Sequence, residues 1–264
     1  MVTDSSQPAF WYMTLQRLQG YSDEDIAREY LGVHAQMTKM GFIHSPFGLG
    51  YQQTYNFSSD QSGMEARLPV AVLPCPPYER WDGVTRLHFT SLQDVGKQLR
   101  DPRYLASVKK HVFARNEGGF LMVGSLDVDI IFQRTMVSKS DAIVYLWHNF
   151  DMDSETKNAR TAAMQHAGDS RKSSIKRYRR SVSMLHDKAS FETIFGGSIF
   201  DTMDSQAYRI VEEFVFEDVE SAIDWFVTNI STVKRVDNGV IHCQMGFANY
   251  ILDKNGNSEN IKYE

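Results

Sequence analysis

Aromatic and branched residues recur along the chain in short runs of period two, and these alternate with stretches whose apolar positions repeat at helical spacing. FWYMTLQRL (Phe10 to Leu18) reads as a strand. After Ser22, with Asp25 three residues on in a capping-box pattern, a helix is predicted to about Met40. FGLGYQQTYNF (Phe47 to Phe57) and VTRLHF (Val84 to Phe89) read as strands, SLQDVGKQLRDP as a second helix start, and GFLMVGSLDVDIIF (Gly119 to Phe132) as a last strand. The second half repeats the series: AIVYLWHNF (Ala142 to Phe150), a helix capped at Ser154, IKRYRRSVSML, YRIVEEFVF, EDVESAIDWFVTNI and VIHCQMGFANYIL. Each half is thus β-α-β-β-α-β, the split βαβ or ferredoxin-like order.

The halves also share letters. AREYLGVHA (Ala27 to Ala35) and ARTAAMQHA (Ala159 to Ala167) match at Ala, Arg, His and Ala without a gap, at an offset of 132 residues, half the chain. One such unit packs both helices on one face of its four-stranded sheet and leaves the other bare, and two units can close those faces on each other. The expected fold is therefore α+β, with two ferredoxin-like repeats, residues 1–136 and 137–264, forming one intramolecular barrel. Ser58 to Gly83, with four of the seven prolines, reads as a long connection of the lid or binding-loop kind, and residues 133–141 as the linker between halves.

Composition narrows the class without naming it. At 42% hydrophobic, 12% aromatic and 23% charged residues, the 264-residue chain is of globular type. A formal net charge of -5 argues against nucleic acid or an anionic membrane as partner. Cys75 and Cys243 are too few and too far apart for a disulfide framework or a zinc site, and no run approaches the length of a spanning helix, so a cytoplasmic protein is expected. GGFLMVG and FGLG do not form a dinucleotide fingerprint or a P-loop. The run RKSSIKRYRR, with six basic residues in ten, reads as a phosphate or partner contact, or equally as a solvated edge strand protected by charge.

The first half resembles the EthD family of dimeric α+β barrel proteins, through LQRLQGYSDEDIAREYLGVHAQM and WDGVTRLHFTSLQDVGKQLRDP. The resemblance runs from about Phe10 to Phe132, with EYLG and Tyr30 standing where the family has an aromatic before its histidine. The second half shares only ARTAAMQHA and the order of elements. The resemblance implies a tandem member that builds in one chain the barrel its relatives build by dimerising. It also implies small cofactor-free cyclases, dehydratases and isomerases acting on polyketide-like or aromatic compounds, with oxygenases and haem proteins on related barrels.

Four residues are candidates for the chemistry. In the first helix, Ile26, Tyr30, Val33 and Met37 form the apolar stripe, and His34 lies on an adjacent row at the margin of the buried face, where an imidazole can act as acid or base or simply cap a carbonyl. In VTRLHF, alternation puts Thr85, Leu87 and Phe89 under the helices and Arg86 and His88 into the barrel, either to bind an enol, carboxylate or phenolate or to form a buried ion pair, for instance with Glu212. Tyr51, Gln53 and Tyr55 alternate on the next strand, and Tyr12, Thr14 and Gln16 share a face of the first. All are expected to line the same cavity, with Tyr51 as an oxyanion donor. Tyr12, Tyr30, Gln53, Tyr55 and Trp81 are the expected substrate-binding set. The reading that follows is a cofactor-independent lyase or isomerase with His34 or His88 as base and Tyr51 or Arg86 as enolate stabiliser, acting on a small hydrophobic carbonyl compound and able to form a homodimer. The alternatives are a haem-dependent or cofactor-free oxygenase, with a histidine as axial ligand in the haem case, and a non-catalytic binding protein. No metal site is expected.

Overall fold

Strand alternation builds the layers. In β1 (Ala9–Arg17), Phe10 and Tyr12 point to one side and Ala9, Trp11 and Leu15 to the other, and both sides are buried. The computed structural model describes residues 7–56, 73–74, 81–108, 114–115, 119–132, 141–168, 174–204, 208–233 and 241–254. The 136/137 boundary, most of the Ser58 to Gly83 connection and Cys75 lie outside them.

The first half places β2 (Gly48–Asn56), β4 (Gly83–Phe89) and β6 (Leu121–Ile131) around β1. The second contributes β7 (Ala142–His148), β8 (Ile175–Ser183), β9 (Ile210–Phe216) and β10 (Ile241–Asp253). Each half pairs its strands in the order fourth, first, third, second, as a ferredoxin-like unit does. Two further pairings, β6 with β8 and β2 with β10, join the halves, so that the ring β1-β6-β8-β9-β7-β10-β2-β4 closes on itself with antiparallel neighbours throughout. Closure leaves these eight strands without an open edge. Two-residue strands, β3 (Leu73–Pro74) and β5 (Ala114–Arg115), attach to β10 and β1.

Helices cover the outside. Over the first half lie α1 (Asp23–Ala27), a π-helical segment (Arg28–His34), α2 (Ala35–Ile43), α3 (Leu92–Arg100) and α4 (Pro102–Val108). Ser22 caps α1, and its capping box with Asp25 forms as the spacing predicts. Over the second half lie α5 (Ser154–Gly168) and α7 (Val219–Val233). Asp153, not Ser154, accepts the first-turn N–H of α5. The sequence pattern did not announce α6 (Lys188–Phe195), whose Phe191 and Phe195 pack with Trp11, Val95 and Phe89 in the first half's outer core. A second outer core joins Met164 of α5 and Ala222, Ile223, Trp225 and Phe226 of α7 to Val144, Leu146, Tyr178 and Phe214. None of the described helices is long and apolar enough to cross a membrane.

RKSSIKRYRR is not a solvated edge. From Ile175 onward it forms β8, flanked on both sides, and its basic residues meet carboxylates: Lys176 with Asp141, Arg177 and Arg179 with Asp129, Arg179 with Glu213, and Arg180 with Asp127. The acidic partners of the run come from β6, β9 and the residue before β7. Arg171 and Lys172 lie outside the described residues.

Candidate functional site

The helix after Ser22 does not keep an α-helical period. Buried positions fall at Ile26, Tyr30, His34, Thr38 and Phe42, four residues apart, because the π turn takes in an additional residue and advances the inward face from i+3 to i+4. Val33, placed on the stripe by an ideal helix, is 49% exposed instead, and His34 is 4% exposed rather than marginal. Single π turns of this kind concentrate at functional positions.

The π turn sets His34 into a polar cluster between helix and sheet. Its Nε2 lies 3.3 Å from Thr38 Oγ1, and its ring stacks on Tyr30 with centroids 6.1 Å apart. An aromatic–histidine pair therefore exists here, one helical turn apart. Gln53 Nε2 donates to Tyr51 Oη and to the Tyr30 carbonyl, both at 2.7 Å, and Asn249 Nδ2 donates to Gln53 Oε1 at 3.2 Å. These partners on both ends set the orientation of the Gln53 amide. Tyr30 Oη meets Thr85 Oγ1 at 2.9 Å. Gly83 makes room for that ring, since a Cβ there would stand 2.7 Å from Tyr30 Cε1 and 2.8 Å from the Thr54 carbonyl. Burial pushes the phenols of Tyr30 and Tyr51 up, and Tyr30 adds to the effect at Tyr51, so both stay protonated as hydrogen-bond donors across the physiological range.

Tyr51, Gln53 and Tyr55 thus do not share a cavity with Arg86 and His88. They face the helices, with Tyr55 Oη donating to the Asp23 carbonyl beside α1, while Gln52 and Thr54 are the β2 residues that point into the barrel. A bulge at Gly48–Gly50 sets this phase, and both faces of β2 carry polar residues, so the pattern could not choose between them.

Arg86 is in the barrel, as alternation required, and is held in an ion-pair ladder. Its Nη1 donates to both Glu213 oxygens at 2.6 and 2.7 Å, and its Nη2 to Gln52 Oε1 at 2.6 Å. Glu213 also accepts from Arg179 at 2.7 Å, and Arg179 and Arg177 meet Asp129. The partner is Glu213, not Glu212, which points outward beneath α5 and binds His148, Arg160 and Tyr178. Burial disfavours the Glu213 charge, but Arg86 and Arg179 outweigh it and hold the carboxyl below the usual range. Tyr12 Oη meets Ser181 Oγ at 3.0 Å, and burial pushes its phenol up to about 12. Half-buried His88 stacks on Phe10 at 4.4 Å, and Trp81 packs among Phe120, Trp147 and Tyr208 at one end of the barrel. The candidate residues therefore divide into two layers: His34, Tyr30, Tyr51, Gln53 and Tyr55 under the helices, and Arg86, His88, Tyr12 and Trp81 inside.

The interior bonds obey the duplication. Arg86 and Glu213 hold the fourth position of the third strand in their halves, and Tyr12 and Tyr145 the fourth of the first strand. Tyr145 Oη meets Thr54 Oγ1 at 2.9 Å as Tyr12 meets Ser181, and Thr54 and Ser181 are themselves equivalent. The outer layer breaks the symmetry. Glu212 stands where the first half has Thr85, Tyr178 where it has Tyr51, and Arg160 takes the place of Tyr30 as the helical partner of that strand. His166, the echo of His34, is exposed on a helix without a π turn. Thr38, Thr85 and Asn249 belong to the first-half cluster without any signal in the sequence that singles them out.

No family model matches the chain. At 23% identity over 228 residues, covering 80% of this chain and 81% of the relative, it is similar to a protein named chalcone isomerase cfoK from Aspergillus candidus. Among solved structures, the fold resembles a provisionally named monooxygenase from Fusobacterium nucleatum, with a TM-score of 0.56 at 7% identity, covering 94% of this chain and 95% of that one. An anthrone oxidase-like protein gives 0.52 at 7% identity, covering 96% and 97%. A provisionally named monooxygenase from Lactobacillus acidophilus gives 0.52 at 9%, covering 94% and 97%. At these identities the structural likeness establishes a shared α+β barrel architecture over nearly the whole chain.

Proposed function

We propose that the protein is an isomerase that closes a ring on a hydroxylated aromatic enone of the chalcone type, using the His34 cluster as acid and base. The observation that carries this reading is the π turn, which buries one imidazole against the Tyr30 ring, with the protonated Tyr51 phenol tied to the same segment through Gln53, in the first half only. The name of the similar Aspergillus protein supports the substrate class.

The chemistry balances within one substrate. His34 takes the proton of a phenol placed ortho to the carbonyl-bearing carbon, the phenolate oxygen bonds the β-carbon of the enone, and the electron pair moves to the carbonyl oxygen. Tyr51, protonated and aligned by Gln53, donates to that oxygen as charge develops. The enolate then takes at its α-carbon the proton that His34 removed, which restores the imidazole, and nothing is oxidised or reduced, so the reaction needs no redox cofactor. Tyr30 supplies an aromatic wall beside the imidazole.

The test is to incubate the protein with 2′-hydroxychalcone under argon and in air, and to follow the enone absorbance and the chirality of the flavanone. A rate above spontaneous closure, an enantiomerically enriched product and indifference to oxygen are expected. A racemic product at the uncatalysed rate would overturn the reading. An oxygenated product formed only in air would replace it with the oxygenase alternative, and a Soret band in the purified protein would bring in haem.

A further inference from the structure

The second half has a polar layer of its own. His148, Arg160, Tyr178 and Glu212 lie between α5 and the sheet, and each is at most 5% exposed. Glu212 joins them. Its Oε2 accepts from His148 Nε2 at 2.9 Å and from Arg160 Nη2 at 3.1 Å, and its Oε1 accepts from Tyr178 Oη at 2.5 Å and from Arg160 Nε at 3.1 Å. The carboxylate is thus saturated, and the guanidinium balances its charge. One polar atom is left over. With Nε2–H given to Glu212, the neutral imidazole carries its lone pair on Nδ1, and that atom is buried with no hydrogen-bond partner among the described residues.

The duplication shows how unusual this placement is. His148 is the seventh residue of β7 as Leu15 is of β1, and Leu15 packs with Ile26 and Tyr30 beneath the helical segment of the first half. A leucine makes a dry floor, whereas an imidazole with an unmet nitrogen is costly there unless an occupant meets it. We propose that the layer beneath α5 is a second small-molecule site, whose ligand is a neutral phenol donating its O–H to His148 Nδ1. An acceptor nitrogen calls for a donor, and a charge-balanced cluster offers an anion no counter-ion. Phe150, only partly buried, stands edge-on to the imidazole with centroids 5.4 Å apart, which brings the site close to the surface and gives it an aromatic side. On α5, Arg160 is followed one turn later by Met164, whose flexible thioether can repack around an aromatic guest. The site binds without turning its ligand over, because Tyr178, in the place of Tyr51, donates to Glu212 and is not free to serve a carbonyl oxygen. The inference stands apart from the isomerase reading, and the flavanone made from 2′-hydroxychalcone, having no O–H, is not a ligand for this site.

Titration with p-cresol, followed by ¹H–¹⁵N NMR of the histidine rings, tests the proposal. His148→Leu assigns the His148 signal by its loss, and it leaves Glu212 paired with Arg160 and Tyr178; thermal melts confirm that it folds. Saturable binding that shifts the His148 Nδ1 resonance is expected. 4-Methylanisole, with the same ring and no O–H, is expected to bind about 10-fold more weakly or worse, since it leaves the nitrogen unmet. The leucine variant is expected to lose the p-cresol binding. An Nδ1 resonance that does not respond, or that responds equally to both compounds, overturns the site. A response of His34 alone overturns it and leaves the isomerase reading intact. A crystal structure of the wild type with p-cresol checks the same point without any variant: the hydroxyl is expected within hydrogen-bond distance of His148 Nδ1, and a water in that place with no p-cresol beneath α5 overturns the proposal.

Discussion

His34 stands at the residue scale as a histidine whose surroundings differ from those of its own repeat. Both AREYLGVHA and ARTAAMQHA carry the letter, yet one imidazole is buried against Tyr30 and Thr38 and the other is exposed. His34→Gln is therefore expected to lower kcat/KM by about 10²- to 10⁴-fold, the usual span for a lost acid–base group, with the fold retained. His166→Gln should change neither turnover nor stability measurably, and steady-state kinetics on the two variants checks the pair. Residue choice was legible where alternation was clean, as in VTRLHF, which placed Arg86 and His88 inside correctly. It failed at Tyr51 and Gln53, where a bulge reset the phase, and at Glu212, where Glu213 beside it offers the same charge on the opposite face.

At the scale of elements, the order of strands and helices was readable, and the π turn was not. A π turn differs from an α turn by a single residue, and GVH has no composition that demands it. Gly32 lies in the exposed part of the π segment, and nothing approaches the Cβ it lacks. The basic character of β8 was likewise visible, but its meaning lay in the acidic partners on β6 and β9, which strand order alone brings together.

The whole molecule is a duplicated unit whose shared interior kept its symmetry and whose outer layers diverged. Breaking the ladder with Glu213→Gln strands Arg86 and Arg179 in the barrel, and a loss of about 3–5 kcal/mol is expected in denaturant unfolding. The double variant Arg86→Met with Glu213→Leu should cost less than the sum of the two singles, since it removes both charges of the central pair. Acid acts on the same groups. Glu213 is held below its ordinary value, by the charges of Arg86 and Arg179 against the opposing effect of burial, and so is Glu212, by Arg160 and His148 in the same way. Their contribution to stability is thus fully present above about pH 5 and is lost as pH falls below the unfolded value near 4.3 toward the lower folded values. Unfolding free energies measured from pH 3 to 7 should show that slope in the wild type and a shallower one in Glu213→Gln. The barrel itself was legible because a lone βαββαβ sheet must cover its bare face, which two halves in one chain can do.

The central claim is that chemistry occupies the layer between the π segment and the sheet of the first half, and that the barrel interior is a structural core. A crystal structure with a flavanone, the product of the proposed ring closure, tests this most directly. One product molecule per chain is expected, with its carbonyl oxygen at Tyr51 and its ring oxygen facing His34. A product seated inside the barrel against Arg86 and His88, or beneath α5 beside Glu212, would contradict it.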